Sequence, residues 1–173
     1  MPSPTLSGFE HRVVVGMAES VVSNNPAVTL ATYSLGSCIG ISIYDPVAKV
    51  GGLAHIMLPD SQISPDKATT HPAMFVDTGV PALFRSAYQM RLDKHRAWIC
   101  VAGGAQIMDD KGYFNIGQRN QAALAALLEK HALRIQAEEV GGMVNRTMYL
   151  RLATGEVRLK TSGQPTETTL WKP

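Results

Sequence analysis

The reading of the fold turns on residues 32–59, TYSLGSCIGISIYDPVAKVGGLAHIMLP. Ile39, Ile41 and Ile43 alternate with Gly40, Ser42 and Tyr44. That period of two puts successive side chains on opposite faces of a half-buried strand. Asp45-Pro46 supplies turn chemistry, and residues 50–57 read as the returning strand. The stretch is expected to be a hairpin with Cys38 at its entrance and His55 near its far end. Toward the N-terminus, residues 13–15 and 29–33 suit two short buried strands, preceded by a loose arm rich in Ser, Pro and Gly.

Beyond the hairpin, residues 59–76 carry Pro59, Pro65 and Pro72 and show no clear period. A structureless stretch of that length inside a compact domain is uncommon and is often a lid or binding loop. A helix comes next, with Asp77 or Thr78 as its cap, Pro81 in its first turn, and Val80, Leu83, Phe84, Ala87 and Tyr88 on one apolar face. Residues 98–102 read as an apolar strand ending at Gly103-Gly104. A second helix carries Leu124, Leu127, Leu128 and His131 as a stripe. Strands are expected at 134–140, 146–152 and 156–160, and the polar tail from 161 to 173 as loose as residues 1–10. Many strands with only two long helices make an α+β layered domain, not an alternation of βαβ units.

The chain has 173 residues, 45% hydrophobic and 17% charged, a length that suits one domain able to fold without metal or disulfide. Sixteen Lys+Arg against 14 Asp+Glu leave a net charge of +2, and the basic residues are scattered singly. Nucleic acid and anionic membranes are therefore not expected as partners. The two cysteines, Cys38 and Cys100, form no CxxC, and no HExxH occurs, so neither a disulfide framework nor a zinc site is expected. No apolar run approaches the roughly 18 residues that a membrane span needs. The N-terminal MPSPTLSGFEHR has no secretory pattern, and the expected location is the cytoplasm, with reduced thiols.

Chemistry concentrates in residues 32–40. Gly36 and Ser37 before Cys38 let the backbone come close to a substrate, and a thiol becomes a nucleophile when an imidazole or a helix end stabilises its thiolate. His55 lies across the proposed hairpin. On the residues alone, an inert buried thiol and a structural histidine remain open readings. Gly36-Ser37-Cys38-Ile39-Gly40 also has the form of a hydrolase nucleophile elbow, but the elbow needs a helix directly after the nucleophile and here a strand succeeds it. Cys100 and His131 read as packing residues, and His11, His71 and His95 have no ligand spacing. Gly103-Gly104 and Gly141-Gly142 read as tight turns.

LATYSLGSCIGISIYD and then GGLAHIMLP, AWICVAGGA, YFNIGQRN and VGGMVNRTMYLRLATGEVRLK resemble the CheD family of chemoreceptor glutamine deamidases over nearly the whole chain. The resemblance implies one domain in which mixed β-sheets pack in layers with two main helices outside. It implies a protein-glutamine glutaminase that converts receptor glutamines to glutamate, without metal or organic cofactor. Carried over by position, Cys38 is the nucleophile, held as a thiolate by the imidazolium of His55. Thr32 orients that ring, and the backbone around Gly36 and Ser37 supports the oxyanion. The implied partner is the cytoplasmic coiled coil of methyl-accepting chemoreceptors; the protein is expected to be a monomer, and residues 60–75, next to His55 in sequence, are expected to touch the receptor. A second implied role is that of a binding module for a CheC-type phosphatase; a thiol hydrolase or transglutaminase-like enzyme acting on another protein is a third possibility. The sequence departs from the family pattern at Gln106 and Asn145, both expected to lie away from the nucleophile.

Overall fold

Two five-stranded sheets pack face to face, and two helices cover the far side of one of them. The computed structural model describes residues 10–107 and 114–173. Its strands are β1 (His11–Val14), β2 (Ser20–Ser23), β3 (Val28–Leu35), β4 (Ile39–Asp45), β5 (Val50–Ile56), β6 (Trp98–Gly103), β7 (Ile135–Val140), β8 (Arg146–Arg151), β9 (Val157–Thr161) and β10 (Thr168–Trp171). Its helices are α1 (Pro65–Thr70), α2 (Val76–Gln89) and α3 (Ile116–Lys130). The outer sheet has the order β1-β3-β8-β9-β10 and the central sheet the order β2-β5-β4-β6-β7. Both are mixed, since β1 runs parallel to β3 and β6 parallel to β7 while the other pairings are antiparallel. The protein is therefore an α+β sandwich.

The alternation in β4 builds the two layers of core. Ile39, Ile41 and Ile43 face Val80, Leu83 and Phe84 of α2 and Leu124 and Leu128 of α3. Tyr44, on the opposite face, joins Leu53, Leu30, Met148, Leu150 and Leu159 between the sheets. Each such side chain, fully buried, contributes about 1.5–3 kcal/mol. The hairpin is present in the expected register, with Gly40 opposite His55 and Asp45 opposite Val50. The β4–β5 turn is fixed by the buried carboxylate of Asp45, which accepts hydrogen bonds from the N–H groups of Val47, Ala48 and Asp93 and from Arg96.

Several expectations change. Residues 60–75 are not structureless: a short 3-10 turn at Ser61–Ile63, helix α1 and a second turn at Pro72–Met74 fill the interval. Helix α2 starts at Val76 with Phe75 as its cap, and Pro81 lies inside the helix, past its first turn. The expected caps are engaged elsewhere. Asp77 accepts from the backbone and hydroxyl of Ser61, and Thr78 donates to the Pro72 carbonyl. His131 is an exposed C-cap and not part of the buried stripe. The C-terminal tail is not loose, because β10 pairs antiparallel with β9 and Trp171 packs on Trp98. Strand β2 had no clear signal, and β6, α3 and β7 make one βαβ crossover. Of the expected N-terminal arm, residues 1–9 lie outside the described residues, and Glu10 is tied to Thr29 and Arg151.

Candidate active site

The chain crosses from the outer sheet to the central sheet at residues 36–38, and the candidate residues cluster at that crossing. A bulge between Thr32 and Leu35 interrupts the pairing of β3 with β8, and Ser34 takes a left-handed conformation with φ 60°. These bend the chain out of β3 and into β4. On the far side, Gly103 has φ 108°, and a Cβ there would run into the Cys38 carbonyl oxygen. Only glycine lets the β6 backbone pass so close. That carbonyl accepts from Gly104 N at 2.8 Å, and Gly36 O accepts from Ala105 N at 2.8 Å.

Cys38 is half-buried and lines a cavity of about 410 Å³. The described lining includes Ser34, Gly36 and Ser37 on one side, Ala105, Gln106 and Ile107 on a second, and Asn115, Ile116, Gly117 and Gln118 at the start of α3. It contains amides, hydroxyls and apolar groups, with no charged side chain among the described residues. Gln106 and Asn145 belong to this wall, which corrects the expectation that they lie away from the thiol. Residues 60–75 contribute nothing to it among the described residues and pack beside α2 instead.

His55 stands on the face of β5 that carries Leu53, turned toward the outer sheet, and is 1% exposed. Gly40 lies directly opposite it and has no side chain. Cys38 is two residues before Gly40, just past the last ladder pair of Ile39 with Ile56. The register places Cys38 diagonally across from His55, one residue beyond the paired stretch. Thr32 reaches His55 from the opposite sheet, its Oγ1 2.7 Å from Nδ1. The same hydroxyl donates to the Val15 carbonyl at 2.7 Å.

A hydroxyl has one proton, so Thr32 must accept from His55. Nδ1 therefore carries the imidazole hydrogen and Nε2 carries the lone pair. Nε2 is buried and has no hydrogen-bond partner among the described residues. Burial lowers the His55 pKa from 6.5 to about 4 and pushes the Cys38 thiol above its ordinary value. Both shifts favour the uncharged forms, a neutral imidazole and a protonated thiol. Cys100, by contrast, is buried between β4 and β7 with its thiol pushed up to about 12, and it takes no part.

One residue of this region had no role assigned from sequence. Asn120, in the second turn of α3, is fully buried and donates from Nδ2 to Ser37 O and to Met57 O, both at 3.0 Å. Its signal was its place in the block IGQRN, but a polar residue within an amphipathic helix is ordinarily a solvent-facing one.

A thiol at the wall of a cavity whose described lining is uncharged, on the sheet face that also carries an imidazole with a free nitrogen, suits a thiol-dependent hydrolase working on a neutral acyl group. Residues 57–161 match the family model described as CheD chemotactic sensory transduction. The chain is 47% identical to the probable chemoreceptor glutamine deamidase CheD 1 of Syntrophus aciditrophicus, over 88% of this chain and 96% of that protein. It is 42% identical to the probable chemoreceptor glutamine deamidase CheD of Solibacter usitatus over 90% and 92%, and 37% identical to that of Pyrococcus horikoshii over 86% and 91%. The chain belongs to the CheD family.

Proposed function

We propose that the protein is a chemoreceptor glutamine deamidase that hydrolyses the side-chain amide of receptor glutamines to glutamate and ammonia, with Cys38 as nucleophile and His55 as its acid and base. The observation that carries this reading is the hydrogen-bond chain from His55 Nδ1 through Thr32 to Val15 O, which leaves Nε2 as a bare acceptor on the face shared with Cys38. The family relatives supply the substrate: a glutamine of a chemoreceptor, named so in each of the three proteins from Syntrophus, Solibacter and Pyrococcus.

His55 Nε2 takes the thiol proton as Cys38 Sγ attacks the carbonyl carbon of the glutamine side chain. The carbonyl oxygen becomes an oxyanion beside the N–H groups of Ser37 and Cys38. One donor of this kind is worth roughly 3–4 kcal/mol of barrier. Collapse of the tetrahedral intermediate breaks the C–N bond, and the proton on Nε2 leaves with the nitrogen as ammonia. His55 then takes a proton from water, whose oxygen attacks the thioester. Glutamate departs as the proton returns to sulfur. Thr32 accepts from Nδ1–H throughout and steadies the imidazolium that forms after each proton transfer. The described part of the wall is uncharged and suits a neutral amide. The partner in this reading is the receptor's cytoplasmic coiled coil, met in the cytoplasm.

The test incubates the protein with a receptor cytoplasmic fragment and reads glutamine-to-glutamate conversion by mass spectrometry. Cys38→Ala and His55→Ala are expected to abolish conversion. Undiminished conversion by Cys38→Ala would remove the assignment.

A further inference from the structure

Past the last ladder pair, Ile39 with Ile56, the two strands that carry Cys38 and His55 separate. The Met57 N–H goes to Met74 O, while Cys38 O takes the Gly104 N–H. Asn120 fills the gap between them. It is 0% exposed, and its single NH2 group donates one hydrogen to Ser37 O and the other to Met57 O, each at 3.0 Å. The orientation of this amide is dictated by its neighbours, because the group facing two carbonyl oxygens must be the donor. Its Oδ1 is buried without a partner among the described residues. A buried polar atom left unpaired costs stability.

Three consecutive carbonyls before β4 are held in this way. Gly36 O accepts from Ala105 N, Ser37 O from Asn120 Nδ2, and Cys38 O from Gly104 N. The first and third are held by backbone, so the middle one is the link that a side-chain substitution can remove. Every peptide here is trans, so the C=O and N–H of one peptide unit point in opposite directions. With Ser37 O drawn to α3, the Cys38 N–H of the same peptide is turned away from it. Among the described residues no oxygen of another residue accepts that N–H.

We infer that Asn120 is a positioning residue for the reaction proposed above. One of its hydrogens sets the Ser37–Cys38 peptide so that the Cys38 N–H serves as an oxyanion donor, and the other holds the strand exit two residues after His55. Asn120 touches neither substrate nor reacting atoms; it acts through the two backbone segments it joins. The inference rests on the deamidase reading, and the experiment separates the two.

Asn120→Ala and the shape-conserving Asn120→Leu are compared with the unaltered protein on the receptor fragment. Both are first checked for a cooperative thermal transition. The expected result in a folded variant is a fall in kcat of roughly 10- to 100-fold, with KM within about twofold, since a misdirected donor weakens only the transition state. The rate of Cys38 alkylation by iodoacetamide, and its dependence on pH, should stay within about twofold of the unaltered protein, because that displacement forms no oxyanion. A merely structural loosening would move alkylation and its pH profile together with kcat. Parallel loss of both readouts, unchanged kcat, or failure of both variants to fold would overturn the inference. Cys38→Ala runs alongside: conversion surviving there defeats the deamidase reading, whereas conversion lost there but intact in Asn120→Ala defeats the role of Asn120 alone.

Discussion

Thr32 has one hydroxyl proton and two neighbours that compete for it, and the outcome determines which nitrogen of His55 is the base. Val15 O can only accept, so the proton goes there, and His55 must donate from Nδ1. Thr32→Val keeps the shape of the side chain but removes both bonds. The buried Nδ1–H is then unpaired, which costs about 1–3 kcal/mol, and the ring loses its fixed tautomer. Deamidation by Thr32→Val should fall by roughly 10- to 100-fold in kcat, within the range general acid–base catalysis supplies, while Thr32→Ser retains most activity. A steady-state comparison of the three proteins on one receptor fragment decides it; equal rates for the valine and serine variants would reject the role. The protonation state of the thiol is checked separately. With Cys38 pushed above its ordinary value and His55 neutral, iodoacetamide alkylation should rise with pH and not level off below about pH 9. A plateau between about pH 5 and 8 would signal a standing ion pair.

Helix α3 brings its first turns against the crossing segment, and a glycine makes that approach feasible. A Cβ on Gly117 would run into the carbonyl oxygens of Ala105 and Gly104, and neither backbone can yield without moving the turn that holds Gly36 O and Cys38 O. Gly117→Ala should therefore lower stability by about 1–3 kcal/mol, the usual cost of overpacking, despite alanine's better helix propensity. Equilibrium denaturation measures it, and an unchanged or raised midpoint would show that α3 can shift freely. This contact was not legible in the sequence, where Gly117 is one glycine ahead of an Ala- and Leu-rich run. Elements set by a local period were legible. The Ile39–Ile43 alternation and the leucine stripe of α3 name their elements because each buries one face against something apolar, and the Asp45-Pro46 turn names its own through the local hydrogen bonds of Asp45. Elements held by partners outside their own segment were not. Strand β10 reads as polar tail because its bonds come from β9, and α2 begins before its expected caps because Asp77 and Thr78 are occupied by Ser61 and Pro72. The site divides in the same way. Cys38, His55 and Thr32 come from a resemblance that covers the chain, whereas Asn120 and the cavity wall at Gln106 and Asn145 need the crossing of two sheets to bring them together.

At the scale of the whole molecule, burying an imidazole at the centre of the sandwich links the site to stability. The His55 ring titrates near 6.5 in the unfolded chain and at about 4 in the fold, lowered by burial. Between those values the unfolded state binds more protons than the folded one, so unfolding becomes easier as pH falls. The contribution is fully present above 6.5 and is gone by about 4, a loss of about 3 kcal/mol over that window. Two other groups act lower on the scale. Burial pushes the Asp45 carboxyl up, but Arg96 and the N–H groups of Asp93, Ala48 and Val47 outweigh it and hold the group below its ordinary value. Glu10 is lowered by its hydrogen bond from Thr29. Both carboxylates stabilise the fold above their unfolded values of 3.8 and 4.5 and lose that effect as pH falls below them. The two regimes are thus separable. Urea denaturation of the unaltered protein should show stability declining from pH 6.5 toward 4.5, before the carboxylates contribute, and His55→Gln should flatten that interval while keeping the steeper fall below it. If the slope between pH 6.5 and 4.5 survives in His55→Gln, the buried ring is not the group that couples folding to protons, and a neutral His55 waiting as base in the resting protein would lose its support.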